Sequence, residues 1–266
     1  MIHMKLAEAF AFSAPVVCAV ICMIMMLMDA HARRSNPVER RLRLFLAFAY
    51  LVSLLGWLGM VFFVLSPRVF VYYYTVFLLT LMLDQVMIYR FVSIITNTGE
   101  HPKFNRLHLI IPLLIIAVSA TGSLLVPVDR QMDIIYGDAG YNSWFRVMYV
   151  TATVIFVVYN SLYPALNLRN IRRYREFIVN YSADAYYTSL NWQTIIQVLI
   201  LVTVPLPFAG LLIGVPVAAV SSLLLFGALA YFINYLILCF NLLNSNYLII
   251  QPDALKNDSP SMAASI

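Results

Sequence analysis

Apolar residues fill seven long stretches of the chain, and short polar segments separate them. The apolar stretches cover residues 9–28, 44–65, 69–95, 107–126, 145–166, 194–213 and 215–243. A helix needs about 20 predominantly apolar residues to cross a hydrocarbon core of about 30 Å, and every stretch has that length. The pattern predicts an all-α integral membrane protein with a seven-helix transmembrane domain over residues 1–250.

Composition supports this assignment. The chain is 62% hydrophobic and 11% charged, with a mean hydropathy of +0.85, whereas about 25% of the residues of a soluble domain are charged. The longest predicted loop, 167–191, and the polar tail, 251–266, are too short to bury a core of their own. We expect a disordered tail, and any activity in the bundle or at its membrane surfaces.

Basic residues are concentrated in alternate gaps between the apolar stretches. Of the 17 Lys and Arg residues, only Lys5, Arg68, Arg130 and Arg146 fall on one side of the predicted bundle. Because cytoplasmic loops carry an excess of Lys and Arg, the pattern predicts an external N-terminus and a cytoplasmic C-terminus in a plasma (cytoplasmic) membrane. One alternative stays open for the first stretch, since Ala30, His31 and Ala32 form the small-residue pattern of a signal-peptidase site.

An ionisable residue lies near the middle of the third stretch. Asp84, followed by Gln85, costs at least about 2.5 to 3.5 kcal/mol at that depth, so it is expected to face the bundle interior. We interpret the pair as a ligand or proton site, with a structural hydrogen-bonding anchor as the alternative. Asn160 of the fifth stretch lies at a similar depth as a predicted partner, and Tyr159 beside it enlarges the polar set.

Prolines interrupt the fifth and sixth stretches. Pro164, Pro205 and Pro207 lack the amide donor that continues a helix, so each predicts a kink or a break. These positions are candidate hinges, with a simple adjustment of helix shape as the alternative. Trp57 and residues 72–74 are predicted to line an outward-facing apolar cavity beside the Pro205 and Pro207 break.

Four arginines lie in the predicted loop 167–191. They are Arg169, Arg172, Arg173 and Arg175. Basic side chains next to a span attract anionic headgroups. The sequence therefore predicts a contact with lipid or with a cytoplasmic effector at this loop.

The chain shows no spacing that is typical of a metal site, a nucleotide-binding loop or a catalytic triad. We therefore expect no metal, no cofactor and no enzymatic activity. Cys18, Cys22 and Cys239 lie within apolar stretches and are interpreted as packing residues. The basic pI of about 9.1 is explained by the arginines beside the spans, so it does not indicate nucleic-acid binding.

Two segments resemble a known family. They are Arg172-Arg173-Tyr174-Arg175-Glu176-Phe177 through Tyr181-Ser182-Ala183-Asp184, and Phe232-Ile233-Asn234-Tyr235 to Asn246-Tyr247. They are similar to the multi-pass membrane domains at the N-terminus of some bacterial AraC-type transcriptional regulators. The resemblance implies a sensor whose helix-turn-helix domain follows the last span. Because only residues 251–266 follow here, we expect no direct nucleic-acid binding by this chain.

The sequence thus favours a membrane-embedded sensor or signal-transduction domain linked to transcriptional regulation. Its expected partners are the lipid bilayer and a cytoplasmic effector, with a homodimer as a further option. The alternative is a small transporter or proton-coupled permease that uses the carboxyl group of Asp84.

Overall fold

A computed structural model of the chain describes residues 2–33, 36–97, 105–136, 144–178, 190–212 and 217–247. These residues form helices with short connections. The helices are α1 (Ile2–Ala32), α2 (Pro37–Leu65), α3 (Pro67–Ile95), α4 (Leu107–Leu125), α5 (Val128–Tyr136), α6 (Trp144–Ile178), α7 (Asn191–Thr203), α8 (Pro205–Leu212) and α9 (Val217–Leu243).

Seven helical segments within the described ranges are long and apolar enough to cross a membrane. They are α1, α2, α3, α4, α6, the α7 and α8 pair, and α9. The predicted all-α multi-pass membrane protein is confirmed, while its orientation stays a prediction. The short connection between the last two apolar stretches, 213–216, and the tail 251–266 lie outside the described residues.

Side-chain hydrogen bonds join neighbouring passes at both ends of the bundle. At the end that holds most of the arginines, here called the basic end, Arg33 Nη2 donates to Ser245 Oγ at 3.2 Å and Trp192 Nε1 donates to the Asn246 carbonyl at 3.1 Å. At the opposite end, the Tyr136 hydroxyl donates to the Phe63 carbonyl at 2.9 Å. Both ends are therefore fixed by contacts outside the apolar core.

Small residues allow the first passes to approach closely. A Cβ atom on Gly59 of α2 would lie 2.5 Å from Cδ2 of Phe77 on α3, so the contact requires glycine. Cys18 and Cys22 of α1 point their sulfur atoms at the carbonyls of Phe232 and Tyr235 on α9, at 3.8 and 3.7 Å. Such small side chains are typical of packed membrane helices. Both thiols are free and buried, as the packing interpretation predicts.

The fifth pass is longer than the sequence analysis predicts. The predicted span ended at residue 166 and a loop followed, but α6 continues to Ile178 and contains 35 residues. Asn167, Ile171, Tyr174 and Ile178 are buried at the three- and four-residue spacing of an amphipathic helix. The apolar run marked only the membrane-embedded part of the helix, so the loop prediction over 167–178 is wrong.

A short helix, α5, covers part of the gap that was expected to be an external loop. Gln131 Nε2 donates to the Ser123 and Val126 carbonyls at 2.8 and 2.6 Å, which satisfies acceptors at the end of α4. Tyr136 stacks on Phe63 with ring centroids 5.0 Å apart. Burial raises the pKa of the Tyr136 phenol, so its hydroxyl stays protonated and donates at neutral pH.

Candidate functional site

Asp84 faces the bundle interior, as predicted, and only 3% of its surface is exposed. Ser53 of α2 donates its hydroxyl to Asp84 Oδ1. This residue, rather than the predicted Asn160, is the hydrogen-bond partner that the structure gives Asp84. Asn160 Nδ2 donates to the Phe156 carbonyl of its own helix at 3.0 Å. Depth can be counted along a sequence, whereas the facing direction depends on how each helix is rotated.

Gln85 and Trp57 are linked through a residue that the sequence analysis missed. Gln85 Nε2 donates to the hydroxyl of Tyr231 on α9 at 3.0 Å. The Tyr231 ring packs edge-on against Trp57, with centroids 5.1 Å apart. Nothing in the local sequence distinguishes Tyr231 from the other tyrosines of the apolar stretches, so only the packing of α9 identifies it.

The predicted break in the sixth pass is confirmed. The first helix of this pass, α7, ends at Thr203, and α8 begins at Pro205. Pro205 takes the first position of α8, where a missing amide is tolerated, and the Val204 amide still donates to the Ile200 carbonyl at 3.0 Å. By contrast, α6 contains Pro164 without interruption.

Two adjoining cavities lie beside this break. The first, here called the aromatic cavity, has a volume of about 50 Å³ and is lined mainly by the aromatic residues Phe63, Phe70, Tyr74, Phe77, Tyr149 and Phe208. The second, called the proline cavity, has a volume of about 40 Å³ and is lined by Trp57, Thr203, Pro207 and Tyr231 among others. Phe156, Phe208 and Leu224 belong to the walls of both.

The predicted cavity residues divide between these two spaces. Trp57 and Pro207 line the proline cavity, and Tyr74 lines the aromatic cavity. Tyr72 is exposed on the bundle surface, and the Tyr73 hydroxyl donates to the Leu55 carbonyl at 2.8 Å. The Tyr74 hydroxyl is buried and has no hydrogen-bond partner among the described residues. The aromatic cavity therefore has a mainly apolar wall, and the Tyr74 hydroxyl is available for a polar contact.

Tyr159 belongs to a cluster that it forms with Tyr163, His108 and Tyr89. Its ring lies 5.1 Å from that of Tyr163, whose hydroxyl is 2.8 Å from His108 Nδ1. Tyr89 packs against His108 with centroids 5.2 Å apart. The contacts described for Tyr159 and Asn160 therefore do not include Asp84, Gln85 or Trp57, although their depth in the sequence is similar.

Partly buried ion pairs join three helices at the basic end. Arg43, which has no exposed surface, donates from Nε to Asp29 Oδ2 at 2.6 Å and from Nη2 to the Leu242 carbonyl at 2.6 Å. Arg33 bonds both Asp29 and Glu39. The sequence analysis treated these arginines only as orientation signals. In the structure they also connect α1, α2 and the end of α9.

The four arginines of the predicted effector loop lie on α6 and differ in their contacts. Arg175 Nη2 donates to Thr194 Oγ1 of α7 at 2.7 Å. Arg172 forms an exposed ion pair with Glu176 at 3.2 Å. The basic face of α6, defined by Arg169, Arg172 and Arg173, is exposed. On the opposite side of α6, Asn167 Nδ2 donates to Gln197 Oε1 at 3.0 Å.

Comparison with protein-family models, with curated proteins and with solved structures gives no significant match. Within the described ranges, His, Cys, Asp and Glu side chains do not form a group of three that could hold a metal ion. The function is therefore inferred from the chemistry of the cavities and of the basic end.

Proposed function

We propose that this chain is a membrane-embedded sensor that binds a small, mainly apolar molecule in the aromatic and proline cavities. The observation that carries this proposal is the position of both cavities at the break between α7 and α8, with Phe208 of α8 in both walls. Apolar walls with one polar group are typical of small-molecule sites. The Tyr74 hydroxyl would bind a hydroxyl or carbonyl group of the ligand.

Cavity size supports a link between binding and helix movement. A cavity of about 150 Å³ holds one benzene molecule, whereas the two cavities here measure about 50 and about 40 Å³. A ligand as large as benzene must therefore displace part of the cavity wall. The break at Val204 separates α8 from α7, so we expect α8 to be the part of the wall that moves. The ligand then favours the state in which α8 has moved, because it binds that state more tightly.

Hydrogen bonds supply a route from the break to the basic end. From the break, α7 leads directly to Gln197 and Thr194, which bond Asn167 and Arg175 of α6. Movement of α7 therefore shifts the part of α6 that carries the basic face. We propose that this face lies in the cytoplasm and contacts an effector protein. The resemblance to AraC-type regulators supports a link to transcription through that effector.

Small aromatic alcohols test the proposed ligand site. In nanodiscs, benzyl alcohol and phenol are expected to raise the thermal unfolding temperature of the full chain, because they bind the folded state only. Phe208→Trp fills the shared wall and is expected to abolish this rise. Phe226→Trp on the exposed surface of α9 is the matched control and should keep it. An equal response in wild type and in Phe208→Trp would contradict the proposal.

A transporter that uses Asp84 is the second candidate, because this carboxyl group is buried in the middle of the bundle. Proteoliposomes separate the two functions. A sensor binds benzyl alcohol or phenol without accelerating the flux of these or other solutes. Flux that depends on Asp84 and is lost in Asp84→Asn would support the transporter.

A further inference from the structure

A third cavity lies around Asp84 and shares no lining residue with the aromatic or proline cavity. This carboxyl cavity has a volume of about 20 Å³ and is lined by Asp84 of α3, Tyr50 and Ser53 of α2, Gln193 of α7 and Tyr235 of α9, together with apolar residues. Its other walls include Leu46 and Phe91, so it extends from Asp84 toward the basic end.

Two buried oxygen atoms of the residues that line this cavity have no described hydrogen-bond partner. Gln193 Oε1 and the Tyr235 hydroxyl are buried and have no hydrogen-bond partner within the described part of the chain. Ser53 bonds only one of the two carboxylate oxygens of Asp84 in the contacts described. Buried polar atoms are normally paired, so a group of available oxygens in one cavity indicates a bound species.

The charge around the cavity favours a monovalent cation. No Lys, Arg or His is among the residues that line it, and the basic residue nearest along α2, Arg43, is already held by Asp29. A single carboxylate neutralises one positive charge, whereas a divalent ion would leave a net charge buried in the membrane. Hard cations prefer carboxylate, carbonyl and hydroxyl oxygens, which are the groups found here.

The volume sets an upper limit on the ion. A cavity of about 10 to 15 Å³ holds one water molecule, so about 20 Å³ leaves room for one dehydrated small ion. We propose that the carboxyl cavity binds one Na⁺, with Asp84 as the anionic ligand and Ser53 and Gln193 as oxygen ligands. The bound ion would join α2, α3 and α7, independently of the ligand site at the break.

Thermal unfolding of the full chain in nanodiscs tests this proposal. A thiol-reactive fluorophore reports unfolding, because Cys18, Cys22 and Cys239 are free and buried in the folded state. NaCl replaces choline chloride at constant ionic strength. We expect a saturable rise of the unfolding temperature with Na⁺. Equal unfolding temperatures in NaCl and choline chloride would overturn the proposal and indicate that the cavity holds water only.

Three variants make the test specific. Asp84→Asn should fold and lose the Na⁺ response, whereas Asp129→Asn removes an exposed carboxylate at the opposite end and should keep it. Gln193→Met should raise the half-saturating Na⁺ concentration about tenfold, because one oxygen ligand is lost while Asp84 remains. If Asp84→Asn does not fold, an unchanged half-saturating concentration in Gln193→Met overturns the proposal. The proposal is also overturned if Asp84→Asn folds and keeps the full Na⁺ response.

Discussion

Burial decides what each charged residue contributes to this bundle. Arg43 has no exposed surface and bonds Asp29, whereas the side chains of Arg172 and Glu176 are 84% and 65% exposed. Removing one partner of a buried pair leaves an uncompensated charge and costs about 3 to 5 kcal/mol. An exposed pair contributes about 0 to 1 kcal/mol. The two pairs have similar chemistry but very different expected effects on stability.

The first prediction compares these two pairs. Asp29→Asn keeps the size of the side chain but leaves Arg43 without its anion, so we expect the free energy of unfolding to fall by about 3 to 5 kcal/mol. Glu176→Gln is the matched control and should change it by no more than about 1 kcal/mol. Reversible denaturation in detergent micelles measures both. Similar losses in the two variants would show that Arg43 does not depend on Asp29.

The second prediction compares two glycines whose replacement by alanine should change the free energy of unfolding differently. Gly59→Ala places a Cβ atom 2.5 Å from Phe77 and should destabilise the fold by about 1 to 3 kcal/mol. At Gly227 the nearest atom would be the Thr203 carbonyl oxygen, at an ordinary 3.7 Å. Gly227→Ala should therefore be neutral or slightly stabilising, since alanine favours helix. Unfolding free energies of the two variants check this, and a tolerated Gly59→Ala would contradict the close approach.

At the level of elements, local signals predicted the spans and missed the rotation of the helices. Long apolar runs identified seven passes, and the chemistry of Pro205 and Pro207 identified the break between α7 and α8. The contact between Ser53 and Asp84 joins helices whose relative rotation is set by packing along their whole length. The extension of α6 was missed because its buried face alternates with arginines, which lowers the local hydropathy.

The third prediction concerns the break. Changing Pro205 and Pro207 together to Ala restores two amide donors, so α7 and α8 should form one continuous helix. We expect the double variant to unfold at a higher temperature and to lose its response to benzyl alcohol. Pro164→Ala is the control, because α6 is already continuous there. Loss of the response in Pro164→Ala alone would move the hinge from the sixth pass to the fifth.

A fourth prediction separates the arginines of α6. Changing Arg169, Arg172 and Arg173 together to Gln removes the exposed basic face and should abolish binding to the proposed cytoplasmic effector without preventing insertion. Arg175→Gln loses the bond to Thr194 and should instead lower thermal stability. Crosslinking in cells and thermal unfolding distinguish the two effects. Unchanged crosslinking of the inserted triple variant would leave these arginines as orientation signals only.

For the whole molecule, the distribution of charge predicts the orientation in the membrane. The basic end carries most of the arginines and should face the cytoplasm. A reporter fused after Ile266 is expected to be active in the cytoplasm, and one inserted after Asp138 is expected to be active outside. The reverse pattern for either fusion would contradict the assigned orientation. It would also place the aromatic cavity nearer the cytoplasmic surface.

The length of α6 has a mechanical consequence. Tyr163 contacts His108 in the first turn of α4, and the 15 residues after it continue for about 22 Å. Thr153, in the wall of the aromatic cavity, lies about 15 Å from Tyr163 in the other direction. If Tyr163 acts as a pivot, α6 is a lever with arms in a ratio of about 1.5. A displacement of about 1 Å at the cavity then moves the far tip by about 1.5 Å in the opposite direction.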